Sequence, residues 1–595
     1  MWKRFRKKKP QRNQPQRKPA QKLVKTLTFL VSLTMLLAGR LSVPAAAQSV
    51  PEDRPTPTEE ALPPRPPIKP ETIPNVQPPP LEVDPDLSEP IEDTDTANRC
   101  LPLSTTDEIR FEAVDIEVVG STVLQSEIEQ QVACYEGQLI TLSDLFNLRS
   151  QITQLYIDNG YITSGAFIPN GQVLEGTVRV QVIEGSIEET QINGLSRLRE
   201  GYVKSRLRDA SAPLNQQELR ESLQLLQLDP NIQTVNAELT AGSQPGESLL
   251  ILDLDEPNPF NLSTSTDNLR SPSIGSIGAN ISASYRNLLG IGDVVSASYG
   301  LTEGLDLYDV NLSFPVNAAD GTLRFGYSNS DSQIVEDTFR DVGIRSDTDT
   351  LSVGFRQPLV RTPSQEFALG LDFDWRRSQS FILDDIPFSF SVGPEDGLSK
   401  VSALRFSQDW TQRGANRVLA ARSQFNFGLD IFDATDNDTG TDGQFFSWIG
   451  QFQWVEQISP KVLSLVKFNT QLTPDSLLPL ERFSLGGVGS VRGYPQNQLV
   501  SDNAINASAE FRIPLTSDPN TLQLTPFLET GVGWNNKTDN PDSNFLLGTG
   551  VGLRWQATPS LFLRTDYGIP LVSAGDRGNS LQDNGLYFSF TYQPN

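Results

Sequence analysis

From residue 257 to the end of the chain, apolar and polar residues alternate along short segments, which are separated by turns rich in Gly, Asn, Asp and Pro. In the segment 306–314, for example, every second residue from Tyr308 onward is apolar, namely Tyr308, Val310, Leu312 and Phe314. Successive side chains of a β-strand point to opposite faces of its sheet, so this pattern predicts strands with one apolar and one polar face. Such strands are typical of a membrane barrel, whose apolar face contacts lipid and whose polar face lines the lumen. We therefore predict that residues 257–595 form an all-β transmembrane barrel.

The alternation defines sixteen candidate antiparallel strands. They lie near residues 260–267, 276–287, 292–301, 306–314, 322–330, 348–357, 365–378, 398–410, 415–428, 444–456, 461–472, 502–513, 521–534, 544–556, 560–568 and 585–593. Sixteen strands leave about 21 residues for each strand and its connection, which suits transmembrane strands of about 10 residues.

Ahead of the barrel, residues 99–185 and 186–256 both show the order β-α-α-β-β. In the first segment, Thr141 and Asp144 have the spacing of a capping box that opens a helix. In the second, Asn215 is placed to cap a helix with one apolar face. The repeated order predicts two compact α+β domains in tandem.

The first 98 residues differ from the rest of the chain. Residues 1–47 combine a cationic start, a short apolar run and an Ala-rich end, which is typical of a cleaved secretory signal peptide. Arg40 interrupts the neutral stretch, so an uncleaved anchor is the alternative. Residues 48–98 are dominated by Pro and acidic residues, and their composition predicts an extended linker.

Composition narrows the function. The formal charge is −25, and it falls to −37 without residues 1–47, which carry 12 Lys/Arg and no Asp/Glu. This acidity argues against a nucleic-acid partner, because phosphates need basic contacts. The chain has no His, which removes His-based triads and imidazole metal ligands. We expect no enzyme activity, no metal and no cofactor.

The chain has two cysteines, Cys100 and Cys134. In an exported protein with two thiols, one disulfide between them is the expected state.

One stretch late in the chain fits neither a strand nor a helix. Glu481-Arg-Phe-Ser-Leu-Gly-Gly-Val-Gly-Ser-Val-Arg-Gly-Tyr494 has four glycines in fourteen residues, which permit left-handed backbone and close approach. Alone, it could be a Gly-rich surface turn. The stretch resembles the signature loop of the superfamily that includes BamA and the two-partner secretion transporters. Pro526-Phe-Leu-Glu-Thr-Gly531 resembles a strand motif of that superfamily, with Glu529 where Asp is usual.

This resemblance implies that residues 473–501 fold back into the barrel lumen and that Arg492 meets a carboxylate on the wall. The implied motif residues of the loop are Val491, Arg492, Gly493 and Tyr494. Alternation along the strand turns Phe527, Glu529 and Gly531 toward the lumen. Because a buried Arg is costly unless it is paired, we expect an Arg492–Glu529 ion pair. Other charged residues on neighbouring inward faces are interpreted as ordinary lumen polarity, namely Arg554, Arg564 and Asp566.

The two α+β domains resemble the POTRA domains of the same superfamily, which accept client polypeptide by adding a strand to a sheet edge. The resemblance covers about residues 109–595 and implies a two-partner secretion transporter of the ShlB/FhaC/HecB hemolysin secretion/activation type. It would be a monomer in outer-membrane lipid, with its POTRA domains in the periplasm. Its partner would be a large secreted polypeptide, exported unfolded and β-helical once outside.

Two other functions stay open from the residues: a BamA-like assembly factor and a passive porin or uptake channel. Relatives carry an N-terminal helix that plugs the pore. Residues 49–98 have no helical periodicity, so no such helix is expected here.

Overall fold

The computed structural model describes residues 57–61, 81–83, 110–169, 173–174, 177–207, 213–575 and 578–594. Among these residues, the helices are all too short or too polar to cross a membrane. Residues 1–47 and Cys100 lie outside the described residues. The signal peptide and the pairing of Cys100 with Cys134 therefore remain predictions.

The described chain begins with one helical turn, α1 (Pro57–Glu60), and a three-residue strand, β1 (Leu81–Val83). Residues 49–98 show no helical periodicity, so the sequence pattern did not predict this turn. A single turn is too short to display a 3.6-residue apolar period, and this turn is held by polar contacts instead of an apolar face.

The first α/β unit surrounds a core formed by α3 and β7. Leu148 and Ile152 of α3 and Val178 and Val180 of β7 are fully buried there. The elements are β2 (Phe111–Ala113), β3 (Asp115–Val119), α2 (Gln125–Val132), β4 (Gln138–Ile140), α3 (Leu142–Asp158), β5 (Gly165–Phe167), β6 (Val173–Leu174) and β7 (Thr177–Ile183). The predicted capping box opens α3: the N–H of Asp144 donates to Thr141 Oγ1 at 3.2 Å, and the N–H of Thr141 donates to Asp144 Oδ2 at 2.8 Å.

The second α/β unit follows directly. It contains β8 (Ser186–Asn193), α4 (Glu200–Arg206), α5 (Gln216–Gln227), β9 (Thr234–Ala241) and β10 (Glu247–Asp255). Its sheet has the order β1-β9-β10-β8, so the linker strand β1 covers the outer edge of β9. The pairing is parallel and sets residues 81–83 against Ala237, Glu238 and Leu239.

The two units repeat one structural detail. Gly120 directly follows β3 and Gly194 directly follows β8, both with positive φ, at +92° and +85°, and a Cβ on either would clash with a carbonyl of the unit's last strand. In each unit a glutamate after that last strand accepts hydrogen bonds from the backbone beyond the glycine. Glu184 accepts from the N–H of Thr122 and Val123, at 2.6 and 3.1 Å.

Glu256 is the corresponding residue of the second unit. Its Oε1 accepts from the N–H groups of Ser196, Arg197 and Leu198 at 2.7–3.0 Å. Burial alone would raise the pKa of the Glu256 carboxyl, but these hydrogen bonds and the charge of Arg197 hold that pKa below its usual value. The carboxylate therefore stays charged where the unit meets the first barrel strand.

From Phe260 onward the structure is almost entirely β. The strands are β11 (Phe260–Asp267), β12 (Gly278–Arg286), β13 (Val294–Thr302), β14 (Leu305–Pro315), β15 (Thr322–Gln333), β16 (Arg345–Arg361), β17 (Gln365–Ile382), β18 (Ile386–Pro387), β19 (Leu398–Arg413), β20 (Arg417–Leu429), β21 (Thr441–Asp442), β22 (Phe446–Ser459), β23 (Val462–Leu472), β24 (Ser476–Leu477), β25 (Phe483–Leu485), β26 (Leu499–Ser501), β27 (Asn503–Pro514), β28 (Leu522–Trp534), β29 (Phe545–Thr558), β30 (Leu561–Pro570) and β31 (Leu586–Tyr592). Short 3-10 turns occur at Pro272–Ile274, Arg340–Val342 and Pro479–Glu481.

Sixteen long strands close into an antiparallel barrel, in which β11 pairs with β31. Each of the sixteen predicted segments coincides with one of these strands, so the predicted fold class and strand count are confirmed. The faces follow the alternation: Leu528 is 53% exposed on the outer surface, whereas its neighbours Phe527 and Glu529 are buried inside.

The second α/β unit contacts one end of the barrel, which we call the proximal end. Arg206 of α4 pairs with Asp320 in the β14–β15 connection, and its guanidinium lies 3.4 Å from the ring centroid of Tyr202. The same Tyr202 ring packs against Gly292 in the β12–β13 connection, where a Cβ would come within 2.6 Å of it. Through these contacts α4 packs against the β12–β13 and β14–β15 connections of the barrel.

Substitution of Gly194 tests the repeated detail. Gly194→Val should destabilise the second α/β unit by at least about 2 kcal/mol, because it combines left-handed backbone with a clash against the Leu254 carbonyl. Limited proteolysis of the full-length protein should show faster cleavage within 186–256. Gly201→Ala is the control, since a Cβ there meets nothing within 4 Å. Equal cleavage rates in the two variants would contradict the packing described here.

The disulfide prediction concerns Cys134, which is disulfide-bonded in the structure. Mass spectrometry of the unreduced mature protein should give one linked peptide pair containing Cys100 and Cys134. Two free thiols in freshly exported protein would refute this pairing.

Candidate functional site

The candidate site is the long connection between β23 and β27, at the end of the barrel away from the α/β units. The connection turns inward instead of projecting outward. Its strands β25 and β26 form a hairpin that pairs Phe483 with Ser501, and its apolar residues are buried, including Leu485 and Val491 at 0% exposure. We call residues 473–501 the lumenal loop and residues 491–494 its tip.

The side chain of Arg492 is 3% exposed and contacts three wall carboxylates. Its Nε donates to Glu529 Oε1 at 3.0 Å. Its Nη1 donates to Asp566 Oδ1 at 2.9 Å, and its Nη2 donates to Glu510 Oε2 at 3.1 Å. The backbone N–H of Arg492 also donates to Glu529 Oε2 at 2.7 Å. The structure thus brings Arg492 and Glu529 together and adds two acids that the sequence argument did not assign.

Phe527 lies beneath the guanidinium, whose Cζ is 3.4 Å from the ring centroid. This distance corresponds to a stacked cation–π contact. Arginine suits this position because its planar fork can donate along several directions while one face stacks on a ring. A lysine could supply neither the stack nor the directed fork.

The three carboxylates also contact other arginines of the wall. Arg564 Nε donates to Asp566 Oδ2 at 2.6 Å, and Arg554 Nη2 donates to Glu510 Oε1 at 3.1 Å. Arg512 Nε donates to Glu510 Oε1 at 3.2 Å. The interpretation of Asp566 as ordinary lumen polarity was wrong, because Asp566 binds Arg492 directly. Its inward parity on β30, two strands from Glu529 on β28, was the available signal.

The backbone of the tip is held by tyrosines. The N–H of Gly493 donates to the hydroxyl of Tyr587, which donates in turn to the carbonyl of Tyr494 at 2.7 Å. The hydroxyl of Tyr494 lies 3.0 Å from the Leu547 carbonyl and 2.7 Å from the Val572 carbonyl. The side chain of Tyr494 therefore contacts both β29 and the segment after β30, and Tyr587 of the last strand binds the backbone of the tip.

A wall of glycines gives the tip room to approach. Cβ atoms at Gly548 and Gly568 would clash with the backbone of Arg492 and Gly493, and one at Gly531 would lie 3.2 Å from Val491. Gly493 itself has φ +104°, and a Cβ there would lie 2.8 Å from the backbone nitrogen of the facing strand. Glycines at alternate positions 548, 550 and 552 were the sequence signal for this surface, and it was missed.

The base of the loop is attached to a different part of the wall. Glu481 is 8% exposed, and Arg405 donates to both of its carboxylate oxygens, at 3.0 and 2.8 Å. Arg376 donates to Glu481 Oε1 at 3.3 Å, and Asp374 accepts from Arg405 Nε at 2.6 Å. The loop thus spans from β17 and β19 at its base to β27, β28 and β30 at its tip.

Crowding at Gly548 offers a direct test of tip docking. Gly548→Ala should displace the tip, because the new Cβ would overlap the Arg492 carbonyl. In intact cells, trypsin added outside should then cleave after Arg492, which is buried in the parent protein. Gly300→Ala is the matched barrel control, since its Cβ would have no neighbour closer than 3.9 Å. Protection of Arg492 in both variants would show that the glycine wall is not needed.

Comparison with known proteins places these features in a family. The profile described as "Haemolysin secretion/activation protein ShlB/FhaC/HecB" matches residues 246–555, and the profile described as "POTRA domain, ShlB-type" matches residues 111–185. Outer membrane transporter CdiB of Escherichia coli is 26% identical over 490 residues, which cover 78% of this chain and 79% of that protein.

Solved structures show the same fold. CdiB from Escherichia coli superposes with a TM-score of 0.63 at 23% identity, covering 83% of this chain and 93% of that one. BamA from Haemophilus ducreyi lacking POTRA domains 1–3 gives a TM-score of 0.51 at 16% identity, covering 81% of this chain and 100% of that one. BamA is thus the more distant neighbour.

Proposed function

Because the chain belongs to the ShlB/FhaC/HecB family of haemolysin secretion/activation proteins and is an outer-membrane transporter of the two-partner secretion type, we propose that Arg492 and its three carboxylates keep the lumenal loop in the position that export requires. The POTRA domains of the chain lie in the periplasm, so a client meets them before it meets the barrel. The observation that carries the proposal is the burial of Arg492 among Glu529, Asp566 and Glu510.

The energetic argument follows from burial. Removing one member of a buried ion pair leaves the other charge poorly solvated, which typically costs about 3–5 kcal/mol. Arg492 and Glu529 are 3% exposed, so little water reaches them to offset that loss. Either truncation should therefore release the tip from the wall. The barrel strands would remain, because their ladders do not pass through the loop.

The client would enter by strand pairing. An extended polypeptide can add to an exposed sheet edge through main-chain hydrogen bonds. The outer edge of β9 in the second domain offers such a site, and β1 of the linker occupies it here. A client that pairs with β9 must therefore displace residues 81–83.

We further propose that the client is an unfolded polypeptide that becomes β-helical outside the cell. In this account the chain acts as a monomer, surrounded by outer-membrane lipid at the exposed apolar face of its strands. It has no catalytic step of its own: the loop and the POTRA domains guide a chain and break no bond.

Paired substitutions test the role of Arg492. Arg492→Ala and Glu529→Ala should each leave an inserted barrel and each reduce secretion of the partner strongly, because both release the tip. The double variant should be little worse than either single one, since residues that act as one unit are not additive. Secreted partner and membrane-inserted barrel should be measured for all three variants.

The control is Arg324→Ala, which breaks a more exposed lumen pair with Asp372 outside the loop. It should secrete at close to the parental rate. If Arg492→Ala and Glu529→Ala also secrete normally, the loop is only a Gly-rich turn and the proposed role of Arg492 is wrong.

A further inference from the structure

The barrel closes where its first strand meets its last, and this junction, which we call the seam, has a short ladder. Strands β11 and β31 are paired only between residues 264–267 and residues 589–592, whereas β30 is paired along the whole of β31. The seam ladder therefore stops before Phe588 and Leu586, in the half of β31 that lies toward the end away from the POTRA domains. Backbone groups left without partners in a wall that faces lipid are strongly unfavourable.

Asn268 continues the seam where the ladder stops. Its backbone N–H donates to the Phe588 carbonyl at 3.2 Å. Its side chain then binds two further groups of β31: Oδ1 accepts from the Phe588 N–H at 2.7 Å, and Nδ2 donates to the Leu586 carbonyl at 2.9 Å. Asn268 is 0% exposed. One asparagine thus satisfies three backbone groups of the last strand and closes the seam beyond its ladder.

Gln582, in the β30–β31 connection, holds the backbone of Asn268 in that position. Its Nε2 donates to the carbonyls of Asn268 and Arg270, at 2.5 and 2.6 Å. Its Oε1 accepts from the backbone N–H of Gln496 at 2.7 Å. Gln582 is also 0% exposed. Because a backbone carbonyl only accepts and a backbone N–H only donates, both ends of this buried amide are fixed.

These contacts join the seam to the lumenal loop. Gln496 lies two residues after the tip, and the tip itself is bound to the last strand by the hydroxyl of Tyr587. The docked loop therefore contacts the chain around β31 at two points, Tyr587 and Gln582. A loop displaced from the wall would take away the N–H that Gln582 Oε1 accepts from, and a buried amide oxygen without a donor is unfavourable.

We propose that Asn268 and Gln582 form a side-chain clasp that keeps the seam closed, and that docking of the lumenal loop tightens this clasp through Gln496. Both clasp residues are positioning residues. A closed seam keeps an exported polypeptide within the lumen, since a gap between β11 and β31 would expose two strand edges to lipid. This role is separate from the one proposed for Arg492, because the loop could serve export without any contact to the seam.

Residue-resolved hydrogen–deuterium exchange of the full-length protein in lipid nanodiscs tests the clasp without a client. Gln582→Glu keeps the size of the side chain but sets a carboxylate oxygen against the carbonyls of Asn268 and Arg270. The Phe588 amide should then exchange about tenfold faster or more, the change expected when a buried hydrogen-bonded group loses its support. The Tyr587 amide, which points to β30 by alternation, should keep its parental rate.

Gln523→Glu is the matched control. It makes the same change at the start of β28, where Gln523 Nε2 donates to the Pro519 carbonyl at 2.9 Å in an exposed hydrogen bond. It should leave exchange at Phe588 unchanged. Gln582→Ala is a second variant, because it removes the clasp bonds without adding a charge and lies outside the strand ladders, so the barrel should still insert. It should also speed exchange at Phe588.

Parental exchange at Phe588 in both Gln582 variants would overturn the clasp. Coupling to the loop is tested by Arg492→Ala, which should speed exchange at Phe588 in the parent protein but add nothing in Gln582→Ala, since residues that act as one unit are not additive. Unchanged exchange in Arg492→Ala alone would overturn the coupling. Because exchange is read without secretion, either failure is distinguishable from a failure of the export role proposed for Arg492.

Discussion

The burial of one guanidinium among three carboxylates is the constraint on which the interior of this transporter depends. Arg492 leaves water only because Glu529, Glu510 and Asp566 receive its donors. If Arg492 were buried without some of these carboxylates, the folded state would be less stable than with no arginine there, because buried charge without partners is strongly unfavourable. Correct docking of the tip therefore requires the consecutive strands β27, β28, β29 and β30 to be in register. The position of the loop then depends on the register of the barrel.

The surrounding residues serve that docking. Because residues 531, 548 and 568 are glycines, no side chain at these positions keeps the tip away from the wall. The hydroxyl of Tyr587 accepts a hydrogen bond from the backbone N–H of Gly493. At the other end, Glu481 fixes the loop to β19 and leaves Arg482 to face α1. The same loop thus contacts both the barrel wall and the N-terminal helix α1.

Strand alternation was enough to predict sixteen strands, because a barrel in lipid must place apolar side chains outward on every strand. The same parity turned Glu529 toward Arg492. It could not rank Asp566 or Glu510 against other inward charges, since that depends on how far the tip reaches across strands. The sequence did not predict helix α1, because a single helical turn is too short to show the 3.6-residue apolar period. Its partners Ser346 and Arg482 are also remote in sequence.

The most direct test of the central claim is maleimide labelling of a cysteine placed at Val491, which is fully buried beside Arg492. Val491→Cys should be inert in the otherwise parental barrel under native conditions, because the tip is docked. Adding Arg492→Ala should make the same thiol reactive in folded, membrane-inserted protein. Equal labelling with and without Arg492 would contradict the account, because it would mean that the ion cluster does not determine where the loop lies.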